Sequence, residues 1–309
     1  MESTQSIKRR IKSVGNTEQI TKAMEMVASN KMRKAQVLAL NSRPYAIAGM
    51  EILREISKRS PHKSALMVES GESGKTLVIL ISADKGLAGS LNSNVLRKFE
   101  KSFTDDSDKY LYAAVGKKSE DYLVRKNLRT EKSFTKFGDY ATPQHTQDFA
   151  DFVIDGFLSG KWSKVITIST HFKTTLRQDV LIRELLPISF EKIEEDIKEL
   201  VPEYGRFSEA NDSKSILSDH FEYITEPSSK EEAQKLLNDL TKHLVEMVIY
   251  HLILESNASE HSARMVAMKS ASDNAADLKD NLQLIFNKSR QAAITQELSE
   301  ISAGVNSNT

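Results

Sequence analysis

The residues best suited to chemistry lie in three short stretches, and each falls short of a complete motif. Gly71 to Thr76, GESGKT, contains the last part of a phosphate-binding loop pattern, but Glu69 stands where its first glycine is required. The stretch also precedes an apolar run, whereas a phosphate-binding loop follows a strand and opens a helix. We therefore interpret residues 60–75 as a polar linker.

A second stretch, Asp84 to Ser90, is a glycine-containing turn between a predicted strand and a helix that Asn92 or Ser93 can cap. A turn in this place can hold a phosphate, but it lacks the GxGxxG spacing of dinucleotide sites. Glycines that let the chain turn tightly are the favoured interpretation. A nucleotide-binding α/β enzyme with helical arms is the competing hypothesis, and it predicts ligand binding at this turn.

The third stretch places His251 and Glu255 one helical turn apart, where they could share a metal ion. No third ligand is evident and the HExxH pattern is absent, so we expect partner-facing or solvated side chains. The chain has no cysteine, which excludes disulfides and thiolate chemistry. No Ser-His-Asp arrangement can be read from the spacing. We predict no catalytic residue, no cofactor and no metal site.

Charge gives little indication of a partner, because Lys plus Arg and Asp plus Glu both number 43. The first 34 residues are basic, which fits either an acidic partner surface or the solvated face of a coiled coil. Binding of nucleic acid through Lys8 to Lys34 is an alternative that predicts steep salt dependence. No aromatic residues are interleaved among these basic residues for base stacking, so we predict that the chain does not bind nucleic acid.

The longest predicted element is a helix from Ser228 to Gly304, with neither proline nor glycine between these ends. Ser229 and Glu232 have the spacing of an N-terminal capping box, and Gly304 stands at a C-cap position. About 75 residues correspond to about 110 Å of helix, which needs a partner along its length. Small and apolar residues indicate a coiled-coil seam at Met268, Ala271, Ala275, Leu278, Leu282 and Ile285. Beyond Ala292 a new stripe, Ile294, Leu298 and Ile301, predicts a lone helical tip.

A second long helix is predicted at the N-terminus, with a kink or break at Pro44 and an end before Pro61. Its near-heptad positions are Ile7, Ile11, Val14, Thr17, Ile20, Met24 and Val27, followed by Lys31, Ala35 and Leu38. This helix is the natural antiparallel partner of the C-terminal helix.

The middle of the chain alternates between strand and helix patterns, which predicts a small α/β sheet with parallel strands. The predicted strands are 76–82, 109–116, 164–171 and 179–188, and the predicted helices end near residues 103, 126 and 158. Residues 191–215 read as a surface excursion, and Phe221 to Thr225 as a last extended piece. The predicted fold is α/β plus a long antiparallel coiled coil. Its domains are 1–60 (N-terminal helix), 75–225 (Rossmann-like α/β domain) and 228–304 (C-terminal helix).

The N-terminus lacks the apolar core of a signal peptide, and no run approaches the ~20 apolar residues of a membrane span. We therefore expect a soluble chain that reaches a membrane only through partners.

Three stretches of the sequence resemble the gamma subunit of the F-type ATP synthase, the rotor shaft of that complex. The most specific is the third, which includes SEHSARMVAMKSASDNA and NKSRQAAITQELSEI. The stretches are IKSVGNTEQITKAMEMVA with KMR behind it (residues 11–33), SADKGLAGSLN (82–92) and residues 255–300.

The resemblance implies a non-catalytic subunit whose terminal helices form the shaft and whose α/β domain forms a foot. The implied partners are the alpha and beta subunits of the catalytic hexamer, the epsilon subunit and the membrane c-ring. The implied location is peripheral, on the cytoplasmic face of the bacterial inner membrane. Contacts to the hexamer are implied for Arg290, Gln291, Thr295, Glu297, Met24 and Lys22. Ile294, Leu298 and Ile301 are implied as an apolar bearing, and Tyr223 and Glu226 as foot contacts.

Overall fold

The computed structural model describes residues 3–59, 63–68, 74–103, 109–139, 141–189 and 230–306. The chain divides into two compact units, residues 1–28 with 264–309 (the smaller unit) and residues 29–263 (the larger unit). The elements are α1 (Thr4–Arg59), β1 (Lys75–Ile81), α2 (Leu91–Phe103), β2 (Tyr110–Val115), α3 (Lys117–Arg125), β3 (Thr130–Phe134), α4 (Pro143–Leu158), β4 (Trp162–Phe172), β5 (Gln178–Leu186) and α5 (Lys230–Asn306).

Both long helices are confirmed, with 56 residues in α1 and 77 in α5. The segments that belong to the smaller unit pack together as an antiparallel pair. Helix α1 is not broken at Pro44, because the helical residues on both sides offset a local cost of about 3 kcal/mol. Helix α5 passes through Gly304 and ends at Asn306, so the C-cap predicted there is wrong. One glycine near a helix end costs only about 1 kcal/mol relative to alanine.

The larger unit is built on a five-stranded sheet with the order β3-β2-β1-β4-β5. Strands β1, β2, β3 and β4 pair in parallel, while β5 pairs antiparallel with β4. The 3-2-1-4 order is that of a doubly wound sheet, which confirms the Rossmann-like prediction.

Helices cover both faces of this sheet, because β1 and β2 are apolar on both sides. One face packs against α2 and α3 through Val78, Leu80, Val95, Phe99 and Leu123. The other face packs against α4 and the first part of α5, with a buried set that includes Leu77, Ile79, Phe149, Val245 and Ile249. The sheet is thus the middle of three layers, and α5 supplies part of an outer one.

Two elements escaped prediction. Strand β3, TEKSF, is too polar to read as a buried strand, and it lies at the sheet edge where polar side chains are expected. Residues 65–67, within the predicted linker, form a 3₁₀ helix whose Leu66 is buried. The excursion 191–215 and the extended piece at 221–225 lie outside the described residues. Among the described helices, none is long and apolar enough to span a lipid bilayer.

Candidate functional site

The two helices of the smaller unit meet along a seam of mostly small side chains. On α1 the buried positions are Ile7, Thr21 and Ala28, and on α5 they are Met268, Ser272, Ala275 and Leu282. Three of the α5 residues are seven apart, as in a heptad repeat, and small side chains let two helices approach closely. Met268, Ala275 and Leu282 are therefore confirmed as seam residues.

Several apolar residues predicted for the seam lie outside it. On α1, Ile20 and Val27 are 60% and 53% exposed, and Thr17 is exposed as well. On α5, Leu278 and Ile285 are 45% and 53% exposed. Ile7 is buried as predicted, but further along α1 the buried position falls one residue after Ile20 and Val27, at Thr21 and Ala28, so the polar or small neighbour faces the partner helix. The smaller unit consequently presents apolar side chains on its surface.

An ion pair crosses the seam between the Lys279 Nζ atom and a Glu18 carboxylate oxygen, at 2.5 Å. The Cδ atom of Lys279 lies beside Gly15, where an added Cβ atom would stand 3.7 Å from it. The Glu18 carboxylate raises the pKa of Lys279 through this hydrogen bond and its charge. Because the helices are antiparallel with equal rise per residue, the start of α1 at Thr4 lies opposite about residue 290 of α5.

The polar residues implied as hexamer contacts are exposed at the end of α5. Arg290, Gln291, Thr295 and Glu297 all lie on the surface. The Thr295 hydroxyl donates to the backbone carbonyl of Gln291 at 3.0 Å, a bond internal to the helix. These four side chains are accessible to a partner, and their roles stay predictions.

The stripe Ile294, Leu298 and Ile301 is 49%, 62% and 64% exposed. These residues lie on one face of α5, because their spacing of four and three is that of a helical stripe. This is the segment that extends beyond the start of α1. The exposure is compatible with a lone tip.

The two implied contacts on α1 differ from each other. Lys22 is exposed and pairs with Glu25 at 2.9 Å within the same helix, and this hydrogen bond raises the pKa of Lys22. Met24 is half-buried. The implied foot contacts Tyr223 and Glu226 lie outside the described residues.

The turn at residues 84–90 is occupied by contacts within the protein. The Asp84 carboxylate accepts the backbone N–H groups of Lys117 and Lys136, each at 2.9 Å. Asn92 accepts the N–H of Ala83 at 3.0 Å, and α2 begins one residue before it, so the cap predicted at Asn92 or Ser93 is wrong. A cavity of about 90 Å³ lies at the carboxyl ends of β1 and β2, and its lining includes Asp84, Lys85, Asp139 and Glu260. This cavity is smaller than the roughly 300 Å³ of ordinary ligand sites. The carboxylates of Asp84, Asp139 and Glu260 in its lining would also repel a phosphate.

His251 and Glu255 are buried, so the expectation of solvated or partner-facing side chains is wrong. One Glu255 oxygen lies 2.7 Å from His171 Nδ1 on β4, and the other lies 3.1 Å from Arg183 Nη1 on β5. Within the described part of the chain, no cluster of three or more acidic, histidine or cysteine residues could hold a metal ion. The spacing of His251 and Glu255 thus marks a buried ionic contact between helix and sheet.

A second polar contact in the larger unit has no sequence signal. Asp139, in the loop after β3, receives Lys31 Nζ at 2.6 Å, and its other oxygen lies 3.3 Å from His261 Nε2. Burial opposes the charge of Asp139, but the hydrogen bond and charge of Lys31 hold the pKa of that carboxyl below its usual value. The loop after β3 therefore contacts α1 and α5 together.

Sequence comparison identifies relatives over nearly the whole chain. The family described as ATP synthase matches residues 3–307. A protein named ATP synthase gamma chain from Methylobacillus flagellatus is 37% identical over 308 residues, covering 98% of this chain and 99% of that protein. Another of the same name, from Polynucleobacter asymbioticus, is 40% identical with the same coverage of both chains.

Solved structures share the fold at lower identity. A chain of the Euglena gracilis mitochondrial ATP synthase, in the assembly of OSCP, F1 and c-ring, has a TM-score of 0.63 at 19% identity, covering 98% of this chain and 94% of its own length. A chain of the central stalk and c-ring structure from Tetrahymena thermophila has a TM-score of 0.56 at 24% identity, with coverages of 82% and 99%.

Proposed function

This chain belongs to the ATP synthase gamma chain family, and we propose that it is the non-catalytic rotating central stalk of an F-type ATP synthase. In this proposal the paired helices of the smaller unit sit in the cavity of a hexamer of alpha and beta subunits. The α/β sheet of the larger unit forms the foot, beside the epsilon subunit and on the c-ring. The complex brings the chain to the cytoplasmic face of the bacterial inner membrane.

The observation that carries this proposal is the apolar surface of the smaller unit. Ile20, Val27 and Leu278 leave the seam between the two helices and face outward. Ile20 and Val27 share a face of α1 because they are seven residues apart, and exposed apolar residues grouped on one face indicate a site of contact with another protein. The stripe Ile294, Leu298 and Ile301 forms a second exposed apolar face at the end of α5. An apolar contact has few directional bonds, so it suits a surface that must turn against its partner.

In this proposal the chain acts because different faces of its helix pair make different contacts with the hexamer. As the stalk turns, each catalytic site of the hexamer meets a different face of the helix pair. A contact that is stronger in one conformation of a site than in another shifts the site toward the favoured conformation. In this way rotation changes nucleotide affinity at each site in turn, although the stalk itself binds no nucleotide.

The energy for rotation comes from ions that cross the membrane, at about 2.3 kcal/mol per charge per 100 mV. Several ions must contribute to each ATP, so the stalk has to hold their work as torque. A pair of helices joined along a seam resists twisting better than a single helix does. In the smaller unit, α1 is this second helix. It pairs with α5 along the seam from Ile7 to Ala28, where Glu18 forms its ion pair with Lys279.

The test replaces Arg290 and Gln291 by alanine and measures ATP-driven rotation and ATP synthesis in the assembled complex. We expect both to fall, because these side chains are exposed and available to the hexamer. The matched control replaces Lys269 and Ser270 by alanine, a cation and a polar neighbour that are exposed earlier on the same helix. Wild-type coupling in the Arg290 and Gln291 variant would show that these two side chains have no role in coupling. Failure of the wild-type chain to purify with alpha and beta subunits would refute the central-stalk function itself.

A further inference from the structure

Helix α5 is joined to the sheet of the larger unit by a carboxylate with two partners on neighbouring strands. Glu255 contacts His171 on β4 with one oxygen, at 2.7 Å, and Arg183 on β5 with the other, at 3.1 Å. All three side chains are at least nine-tenths buried. His251, one turn earlier on α5, is buried as well. The contact therefore lies inside the unit and is shielded from solvent.

This ionic contact differs in kind from the apolar contacts around it. Val245, Ile249 and Ile253 also hold α5 against the sheet, but apolar burial has no preferred direction and tolerates small rotations of a helix. The Glu255 carboxylate requires donors at fixed positions. At a side-chain radius of about 6 Å, a rotation of α5 by about 30° about its axis moves the carboxylate by about 3 Å. That displacement exceeds what a hydrogen bond tolerates, so both contacts break together.

The electrostatics keep Glu255 charged. Burial alone would raise its pKa, but the hydrogen bond with His171 and the positive charge of Arg183 lower the pKa to about 2. A buried carboxylate that loses its partners is strongly destabilised, so slippage of the helix is opposed steeply from the first few ångströms. The contact between Asp139 and His261 adds to this resistance. It is the weaker of the two contacts, because the Asp139 side chain is one-third exposed.

We propose that Glu255 is the torsional anchor of α5, the side chain that stops this helix from turning about its own axis within the α/β layers when the stalk is under load. The inference rests on the proposed function as a central stalk. Helix α5 is continuous from Lys230 to Asn306, so rotation imposed on its first part is passed along its length. If α5 could turn relative to the sheet that it packs against, part of that rotation would be lost as slip. Glu255 is thus a positioning residue for energy coupling.

The experiment uses the complete ATP synthase in liposomes and measures protons pumped per ATP hydrolysed at low and at high membrane potential. For Glu255→Gln we expect a near wild-type ratio at low potential and at least a twofold lower ratio at high potential, because slip grows with load. A residue with only a structural role would lower the yield of complex and leave the ratio independent of load. Asp239→Asn makes the same charge change at an exposed position of α5 and should match wild type.

Arg183→Lys is the second variant, since it keeps the positive charge but loses the fork of donors, and it should show a smaller loss of the same kind. A ratio independent of load in whichever variant assembles overturns the proposal. Assembly of neither variant would also overturn it, because Glu255 would then be a folding residue. If the wild-type chain fails to couple at all, the central-stalk function fails instead, and the two failures are distinguishable.

Discussion

Lys279 on α5 donates to the Glu18 carboxylate on α1 across the seam of the smaller unit, at 2.5 Å. Gly15 lies one turn before Glu18 and beside the stem of Lys279, where an added Cβ atom would make ordinary van der Waals contact with Cδ at 3.7 Å. The ion pair favours the rotation of the two helices that brings these opposite charges together.

We predict that Lys279→Met lowers the melting temperature of the chain at neutral pH and that this difference disappears in alkali. The pKa of Lys279 is raised above 10.5 by Glu18, so its stabilising contribution is complete below 10.5 and is lost as pH rises through the higher folded-state value. High salt should shrink the difference as well, because the pair is partly exposed. Thermal unfolding followed by circular dichroism tests this, with Lys269→Met, on the surface of the same helix, as the control. A difference unchanged at pH 12 contradicts the assignment.

The register of the seam gives a second prediction. Ala275→Leu should lower the free energy of unfolding by about 1–3 kcal/mol, because a buried position in a close-packed seam cannot take the added volume. Leu278→Ala should change it by no more than about 0.5 kcal/mol, since Leu278 is largely on the surface. Denaturant titration of both variants decides between the two registers. The reverse order of effects would place Leu278 in the seam and Ala275 outside it.

This register shows what apolar spacing can and cannot predict. The two long helices, their pairing and the α/β sheet between them follow from the proline-free and glycine-free stretches and from the alternating patterns. The seam followed only in part: Ile7, Met268, Ala275 and Leu282 are buried as predicted, but the prediction also assumed that every apolar residue at heptad spacing packs against the same chain. Ile20 and Val27 have that spacing and are exposed, whereas Thr21 and Ala28 are buried. Spacing identifies a face that needs covering, and the identity of the covering chain has to come from structure.

The sequence did not predict the polar contacts of the larger unit, for a different reason. His171 and Glu255 are far apart in sequence, as are Lys31 and Asp139, so no local pattern joins them. The one local signal, His251 and Glu255 a turn apart, is shared by metal sites, solvated faces and buried ion pairs. Burial of that stretch of α5 against β4 and β5 decides among them, and burial depends on the whole fold.

Gly116 offers a sharp test of the packing at the end of β2. It has φ of 90° and an added Cβ atom would lie 2.0 Å from the carbonyl oxygen of Ser82. Gly116→Ala therefore combines backbone strain of about 1–3 kcal/mol with a clash that the backbone must move to relieve. Gly138 has φ of 77° but open space around it, so Gly138→Ala should cost the strain alone. We expect Gly116→Ala to be the more destabilising of the two in denaturant titration, and equal losses would contradict the close approach.

The buried carboxylate predicts a characteristic acid response. Glu255→Gln should lower the free energy of unfolding at pH 7 by about 3–5 kcal/mol, since it leaves a buried cation without its counter-charge. The pKa of Glu255 is lowered from 4.5 to about 2, so the stabilising contribution is complete above 4.5 and is lost as pH falls toward 2. The difference between wild type and variant should close over that range. Urea titrations at several pH values measure it, with Asp239→Asn as the control, and a gap that stays constant from pH 6 to pH 2 refutes the ionic contact.

The exposed stripe at the end of α5 separates folding from assembly. In the isolated chain, Ile294→Ser with Leu298→Ser should change the free energy of unfolding by about 0.5 kcal/mol or less for each substitution, because both side chains are exposed. Ile7→Ser is the contrast, since Ile7 is buried in the seam and its loss should cost about 2–5 kcal/mol. Burying an apolar side chain against a partner contributes about 1.5–3 kcal/mol. The double variant should therefore bind a purified hexamer of alpha and beta subunits at least tenfold more weakly than wild type. Wild-type affinity in the double variant would mean that the stripe is not the covered surface, and a large loss of chain stability would mean that it packs within the chain.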